Sequence, residues 1–482
     1  MFVFRISVIK IIALSLLLTA AIFPVSGGAE EKQVLLKEVV LSRHGVRSPT
    51  QQAAALAGLS AKPWPQWPVK AGHLTARGSS LIFLQWKAER TRLEALGVTP
   101  DKIFICADAE QRTMATAGAI LEALAPHGGL APVLSDRAFV YPIFHPVEAG
   151  FANFDAVAVR RDILKNAGGS LAALQRELAA KLDILAEVTG PLPEKAAARA
   201  GVPAGSAFTA IPSEVEFRDG NRSVGITGAL GAASSVAEIF LLEYCQWPGK
   251  NAGWGAVDGM ILRDVLPVHS KVFDAVNRAR SVARARAGSL TMLLASSLLS
   301  EELCLAKVSD AVKVPAAAAA AAIFVGHDTN IAGVGALIGA DWQLPGFAKN
   351  EIPPGSALIL SLWQRGDEKF VTAEFAGLSL EAFHSDANLP GSVNRCRISL
   401  AHMQQKPGTR PADECAPEEF ADWVNGVIAN TRVTAMELRT ISAYQTDAEA
   451  CFGTAAEKRR QRVEILARRL PQPVKLCGAA SL

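Results

Sequence analysis

An excess of charge of one sign is missing from this sequence: 49 Lys and Arg stand against 46 Asp and Glu over 482 residues, a formal net charge of +3. A general nucleic-acid binder carries a clear basic excess, so that class is excluded, whereas a local basic pocket for a small anion is not. Charged residues make up only 20% of the chain and hydrophobic ones 50%, which excludes a disordered protein and allows a large core. The 38 Gly show no three-residue period and the 26 Pro are scattered, excluding collagen-like and coiled-coil chains. Also absent are a GxSxG elbow, a Walker lysine motif, GxGxxG and HExxH, so serine hydrolase, P-loop, dinucleotide-binding and zincin readings lack their parts. Gly333-Val-Gly335-Ala-Leu-Ile-Gly339 comes nearest to a dinucleotide fingerprint, but its last glycine is one residue late, and packing at a helix start accounts for it better. No cysteine or histidine spacing is that of a zinc site, so neither metal nor cofactor is expected.

Long apolar runs are confined to the start. Arg5 and Lys10 flank an apolar beginning, Ile11 to Val25 continues it, and the small residues Ser26, Gly27, Gly28 and Ala29 follow. This order predicts a signal peptide over 1–28 and a periplasmic or secreted protein; the alternative, an uncleaved anchor, would need a longer span. No later stretch is expected to be long and apolar enough to cross a bilayer. Export matters for the seven cysteines, which allow at most three bridges. Cys106, in the apolar run Lys102-Ile-Phe-Ile-Cys106, reads as a buried free thiol. Cys396 with Cys415, and Cys451 with Cys477, are close pairs in loop-rich surroundings and are the expected disulfides.

Strands and helices alternate at both ends of the chain, which predicts an α/β class. Strands are expected at Val34 to Leu41 and Ile103 to Ala107, with helices from about Gly78 to Leu96 and Thr113 to Leu124. Ala321 to Val325, Ala357 to Trp363 and Phe370 to Phe375 read as later strands, the alanine run 316–322 leading into the first of them. The middle block is mostly helical, for example Leu171 to Val188 and Gly228 to Tyr244, and reads as a cap. The implied organisation is an α/β domain over 29–148 and 281–431, a cap over 149–280 and an extension over 432–482, whose basic helix around Lys458 to Arg469 reads as a surface element.

The chemistry lies where the first strand stops, in Arg43-His44-Gly45-Val46-Arg47-Ser48-Pro49. In α/β sheets ligands bind beyond the carboxyl ends of the strands. Arginine forks match phosphate oxygens, so Arg43 and Arg47 can hold a phosphoryl group while His44 attacks phosphorus. Chance would produce this pattern of fixed types in roughly one chain of this length in several thousand. A second element, Gly326-His327-Asp328-Thr329, leaves a strand to meet a helix start, and Asp328 can protonate the leaving alcohol and then activate water. The remaining histidines, His73, His127, His145, His269, His384 and His402, have no ligand spacing and read as ordinary residues, although His269, in the cap, could reach the pocket.

These motifs resemble those of the histidine acid phosphatases, marked by RHGxRxP and a late HD, and the likeness is nearest to the periplasmic phytase/acid phosphatases of enteric bacteria. Trp64-Pro-Gln-Trp-Pro-Val-Lys70, Asp108-Ala-Glu-Gln-Arg112-Thr113, Glu238-Ile-Phe-Leu-Leu242 and Pro353-Pro-Gly355 extend it, in family order, over roughly 34–430. The resemblance implies a phosphoglycerate mutase-like fold, with a central mixed sheet, flanking helices and an inserted, mostly helical cap. It implies His44 as nucleophile, Asp328 as proton donor, and Arg43, Arg47, Arg112 and His327 as the phosphate pocket. Thr50, Thr329 and Arg286 match substrate-facing positions and Glu238 a cap residue facing the site. Two departures bear on substrate. Gln51 stands where phytases carry Lys, weakening a positive rim, whereas His-Asp-Thr is the phytase-like form and glucose-1-phosphatases read His-Asp-Ser. The expected function is a metal-independent, monomeric phosphomonoesterase acting on phytate or a sugar phosphate, with no nucleic-acid partner and no membrane after signal cleavage. Alternatives are a glucose-1-phosphatase-like or general acid phosphatase, a mutase, and a non-catalytic phosphate-ester binding protein, which would need neither His44 nor Asp328.

Overall fold

The computed structural model describes residues 32–128, 130, 133–134, 140–299, 319–385 and 393–428. The expected signal segment 1–28, the extension 432–482 with its basic helix, and the pair Cys451 and Cys477 lie outside the described residues.

Ten strands are described: β1 (Gln33–Arg43), β2 (Ile103–Ala107), β3 (Val133–Leu134), β4 (Val215–Arg218), β5 (Ser223–Ile226), β6 (Ala321–Gly326), β7 (Ala357–Arg365), β8 (Glu368–Leu378), β9 (Val393–Ile398) and β10 (Glu414–Cys415). Eight of them form one mixed sheet in the order β10-β8-β7-β1-β6-β2-β3, with β9 also on β8. β1, β6, β2 and β3 run parallel, and β7 through β10 add antiparallel neighbours. The central strands are nearly continuous apolar runs because both their faces are covered. Along one register row Ile105, Ile323, Val40 and Ile359 face the helices Ala76–Ala95 and Gln111–Leu124. The alternate residues, among them Val39, Leu41, Phe324 and Leu358, enter a second core with the helices Arg280–Leu298 and Asp328–Leu337. At the start of the Gly333 run, a side chain on Gly333 would meet Ala287 Cβ at 2.7 Å, so close helix packing explains that glycine.

The middle of the chain supplies the helices Ala156–Asn166, Leu171–Glu177, Ala179–Thr189, Glu194–Ala200, Gly228–Gln246 and Gly259–Asn277. The helix expected over Leu171 to Val188 is therefore two, meeting at the buried Leu178. An unforeseen hairpin, β4 with β5, interrupts the helices; its turn carries Asp219, Gly220 and Asn221 at positive φ, residues that tolerate it. Gly228–Gln246 corrects another expectation, since it is long and apolar enough to cross a membrane. Its apolar window is 67% buried inside the protein, as befits a core helix.

The cysteines also need correction. Cys106 is buried and in no disulfide, as expected, but Cys396 and Cys415 are unbridged too. Cys396 lies opposite Phe375 and Cys415 opposite Val371 on the same edge of β8. Four residues along a strand is about 13 Å, and a disulfide needs Cα atoms within roughly 7 Å.

Candidate active site

Register decides where the functional groups meet. Arg43 pairs with Gly326 at the carboxyl ends of β1 and β6, and Ala107 pairs with Val325 beside them. Three parallel strands therefore deliver His44, His327 with Asp328, and Asp108 to one edge of the sheet. The Asp108 and His44 backbone N–H groups donate to Val325 and Gly326 carbonyls across it, at 3.0 and 3.1 Å.

His44 is 1% exposed. Its Nδ1 lies 2.9 Å from the carbonyl oxygen of Gly45; a carbonyl only accepts, so Nδ1 carries the proton and Nε2 keeps a lone pair. Burial pushes the His44 pKa well below the usual histidine value, and the nearby charges of Arg112, Arg43, Arg47 and His327 add to it. Gly45 must be glycine, because a Cβ would stand 2.8 Å from Ile82 Cγ1 and 2.9 Å from Gly78 O. Gly78, early in the helix whose N-cap is Thr75, is equally constrained, since its Cβ would collide with Val46 O.

Arg43 is fully buried and donates from Nη2 to Asp328 Oδ2 at 2.7 Å and to Glu238 Oε1 at 3.0 Å, and from Nη1 to Ile352 O. Arg47 Nη2 donates to the same Glu238 oxygen at 2.8 Å. Arg112 pairs with Glu110 and approaches His327 Nδ1 at 3.4 Å. Among the described residues, the buried Nε atoms of Arg43, Arg47 and Arg112 have no hydrogen-bond partner. Such clustered donors suit an anion with several oxygens.

Asp328 opens the helix Asp328–Leu337, where the helix dipole favours a carboxylate. Burial opposes its ionisation, yet the charges of Arg43, Arg47, His327 and His269 outweigh burial and hold its pKa below the usual carboxylate range. His327 Nε2 lies 2.7 Å from Asp108 Oδ2, which His145 Nε2 also approaches at 3.0 Å. Burial disfavours the Asp108 charge, but these two imidazoles hold its pKa far down.

A cavity of about 210 Å³ is lined by His44, Arg47, Arg112, His327 and Asp328, with Arg286 and Thr329 at its wall. Arg43 stands behind it through Asp328, and Glu238 reaches down from the cap to bridge Arg43 and Arg47. Thr50 and Arg112 both border Gly72, at 3.5 and 3.7 Å from where its Cβ would point. All ten site residues expected from the sequence thus lie together. Gln51 does not line this cavity but the neighbouring groove that holds Trp64 and Trp67. His269 lies behind Glu238, bonded to Ser234 Oγ at 3.2 Å and 3.6 Å from Glu351.

Sequence reasoning missed Asp108, His145 and Glu148. Asp108 follows β2 at the same topological place as His44 after β1, a signal that was readable. His145 is joined to it only by the fold. Glu148 lines the cavity and sets a negative charge near Arg286.

Residues 34–183 match the family model for the histidine phosphatase superfamily, branch 2. Over 356 residues the chain is 33% identical to phytase AppA of Escherichia coli (strain K12), covering 71% of this chain and 80% of that protein. The chain belongs to the histidine phosphatase superfamily. It is accordingly a phosphatase, with the α/β fold and central mixed sheet that its sequence implied. A second relative, glucose-1-phosphatase of Salmonella typhimurium, is 25% identical over 357 residues, 70% of this chain and 78% of that one. The solved structure of Hafnia alvei phytase in complex with myo-inositol hexakis sulphate is similar with a TM-score of 0.73 and 28% identity. That match covers 83% of this chain and 98% of that one.

Proposed function

We propose that this phosphatase is an exported, monomeric phosphomonoesterase that removes phosphate from phytate through a phosphohistidine intermediate. The observation that carries the mechanism is the free Nε2 of His44, fixed by the Gly45 carbonyl, within a ring of three arginines. The Nε2 lone pair attacks phosphorus, forming an N–P bond as the bond to the ester oxygen breaks. Arg43, Arg47, Arg112 and His327 bear the charge on the phosphoryl oxygens, a task that falls to positioned cations in phosphoryl transfer. Asp328 gives a proton to the departing alkoxide, then takes one from the water that attacks the phosphohistidine, and orthophosphate leaves.

The cavity of about 210 Å³ takes a phosphoryl group with room to spare, and the rest of the substrate lies toward Thr50, Thr329 and Arg286. Support for phytate comes from the His-Asp-Thr form and from the relatives named phytase, one of which holds a hexakis sulphate of inositol. The segment around Arg5 to Ala29 supports export. A second reading, a narrower sugar-phosphate phosphatase, is favoured by Gln51 and by the likeness to glucose-1-phosphatase. A non-catalytic binder would have no use for both His44 and Asp328.

The test is phosphate release from phytate, glucose 1-phosphate and p-nitrophenyl phosphate, compared as kcat/KM, with acid-labile label trapped on the protein from a labelled substrate. Preference for phytate and labelling lost in His44→Ala are expected. Preference for glucose 1-phosphate would select the second reading, and turnover that persists in His44→Ala would reject the phosphohistidine.

A further inference from the structure

Asp108, Glu110, His145 and His327 each offer one ligating atom, and the four atoms lie within 4.8 Å of one another. Two imidazoles with two carboxylates form the donor set of a borderline divalent ion such as Zn²⁺; Mg²⁺ and Ca²⁺ prefer oxygen alone. The local bonding points the same way. Two imidazole Nε2 atoms crowd one oxygen, Asp108 Oδ2, at 2.7 and 3.0 Å. The other oxygen of that fully buried carboxylate, Oδ1, has no partner among the described residues. A tetrahedral ion with bonds of about 2.0 to 2.2 Å needs ligand spacings of roughly 3.3 to 3.5 Å. The imidazole nitrogens, now at 2.7 and 3.0 Å, would therefore move outward from Oδ2 by roughly 0.3 to 0.8 Å, while the wider spacings in the group, up to 4.8 Å, close. Access exists, because His145 and His327 line the cavity and the Glu110 side chain is 29% exposed.

We propose that these four side chains bind a divalent transition cation of the Zn²⁺ class beside the phosphate cavity, and that the bound cation tightens orthophosphate. Glu110 now pairs with Arg112. Taking that carboxylate as a ligand frees the guanidinium for phosphate. Coordination through Nε2 of His327 also leaves the proton on Nδ1, the nitrogen 3.4 Å from Arg112, so both groups are set to donate. Coupling is reciprocal: phosphate tightens the cation by the same factor. Turnover then slows because product is retained. This consequence for turnover rests on the phosphomonoesterase reading, whereas the cation site does not.

The full chain, stripped with chelator, is titrated with Zn²⁺ by calorimetry, and with Co²⁺ while the visible spectrum is recorded. One ion per chain with a tetrahedral Co²⁺ spectrum is expected, weakened about tenfold or more in His145→Gln and in the more exposed Glu110→Gln. The inhibition constant of orthophosphate against p-nitrophenyl phosphate should fall about fivefold or more at saturating Zn²⁺ in the wild type, and not in His145→Gln. No stoichiometric binding, or affinity unchanged in both variants, overturns the site. Binding without a change in the inhibition constant overturns the coupling. A wild type that hydrolyses none of the esters would instead overturn the phosphomonoesterase reading, leaving the calorimetry to decide the site.

Discussion

Asp328 Oδ2 stands 2.7 Å from Arg43 Nη2, so the carboxyl that is to act as an acid is bound to a guanidinium that is to hold the substrate. That contact, with the charge of Arg47, keeps Asp328 ionised despite its burial. The proton must therefore come with the substrate: a phosphate dianion against the arginines offsets their field at Asp328, and a monoanion brings a proton of its own.

Asp328→Asn should then spare phosphate binding but lower kcat by about 10²- to 10⁴-fold on alkyl esters such as phytate, whose leaving oxygen needs a proton. On p-nitrophenyl phosphate, whose leaving group departs unaided, the loss should be much smaller. Steady-state kinetics on both substrates check this, and equal losses would mean that Asp328 is not the acid.

If three guanidiniums supply the positive charge around the transferring group, as proposed, chelator should not abolish turnover. Rates on p-nitrophenyl phosphate in EDTA are expected to match or exceed those without it. Activity that vanished in EDTA and returned only with a divalent ion would contradict the arginine seat.

Glu243 lies in the core helix Gly228–Gln246, with Oε2 accepting the Gly253 N–H at 2.8 Å and Oε1 buried without a partner among the described residues. Burial pushes its pKa up from 4.5 to about 7, with the Gly253 N–H opposing. A raised carboxyl pKa means that its favourable contribution is complete below the unfolded value of 4.5 and is lost as pH rises toward 7. Glu243→Gln keeps an acceptor for Gly253 and removes the charge. Its Tm should rise relative to wild type at pH 8 and differ little at pH 4; an equal shift at both values would rule out the charge as the cause.

The separation of Cys396 from Cys415 predicts that Cys396→Ser, at a half-buried site on β9, changes stability by no more than about 0.5 kcal/mol. A bridged cysteine would cost about 2 to 5 kcal/mol. Urea melts of oxidised protein distinguish the two.

The parts of the site legible in the sequence were those carried by contiguous motifs at strand ends. Arg43 to Arg47 and His327 to Thr329 announce themselves because strand, turn and polar cluster fall within eight residues. Arg286 and Glu238 needed the family likeness, since each sits on a long helix that gives no local sign of facing an anion. Asp108 with His145 was lost because neither has a neighbour in sequence that it needs; the pair exists only once β2 and the segment before the cap fold together. The hairpin β4 and β5 was overlooked although Asp219-Gly220 is a turn signal, its strands being only four residues each.

β1 and β2 do not touch: β6 lies between them. A chain emerging amino end first makes the His44 strand and the Asp108 strand early, then must produce more than two hundred further residues before the strand that joins them exists. The sheet is thus dominated by pairings remote along the chain, the topology that folds slowly. No shortened or unfinished chain that stops before β6 can bring His44 to Asp328. The order of the strands acts as a timer, and the fold withholds the meeting of His44 and Asp328 until about two thirds of these 482 residues have been made.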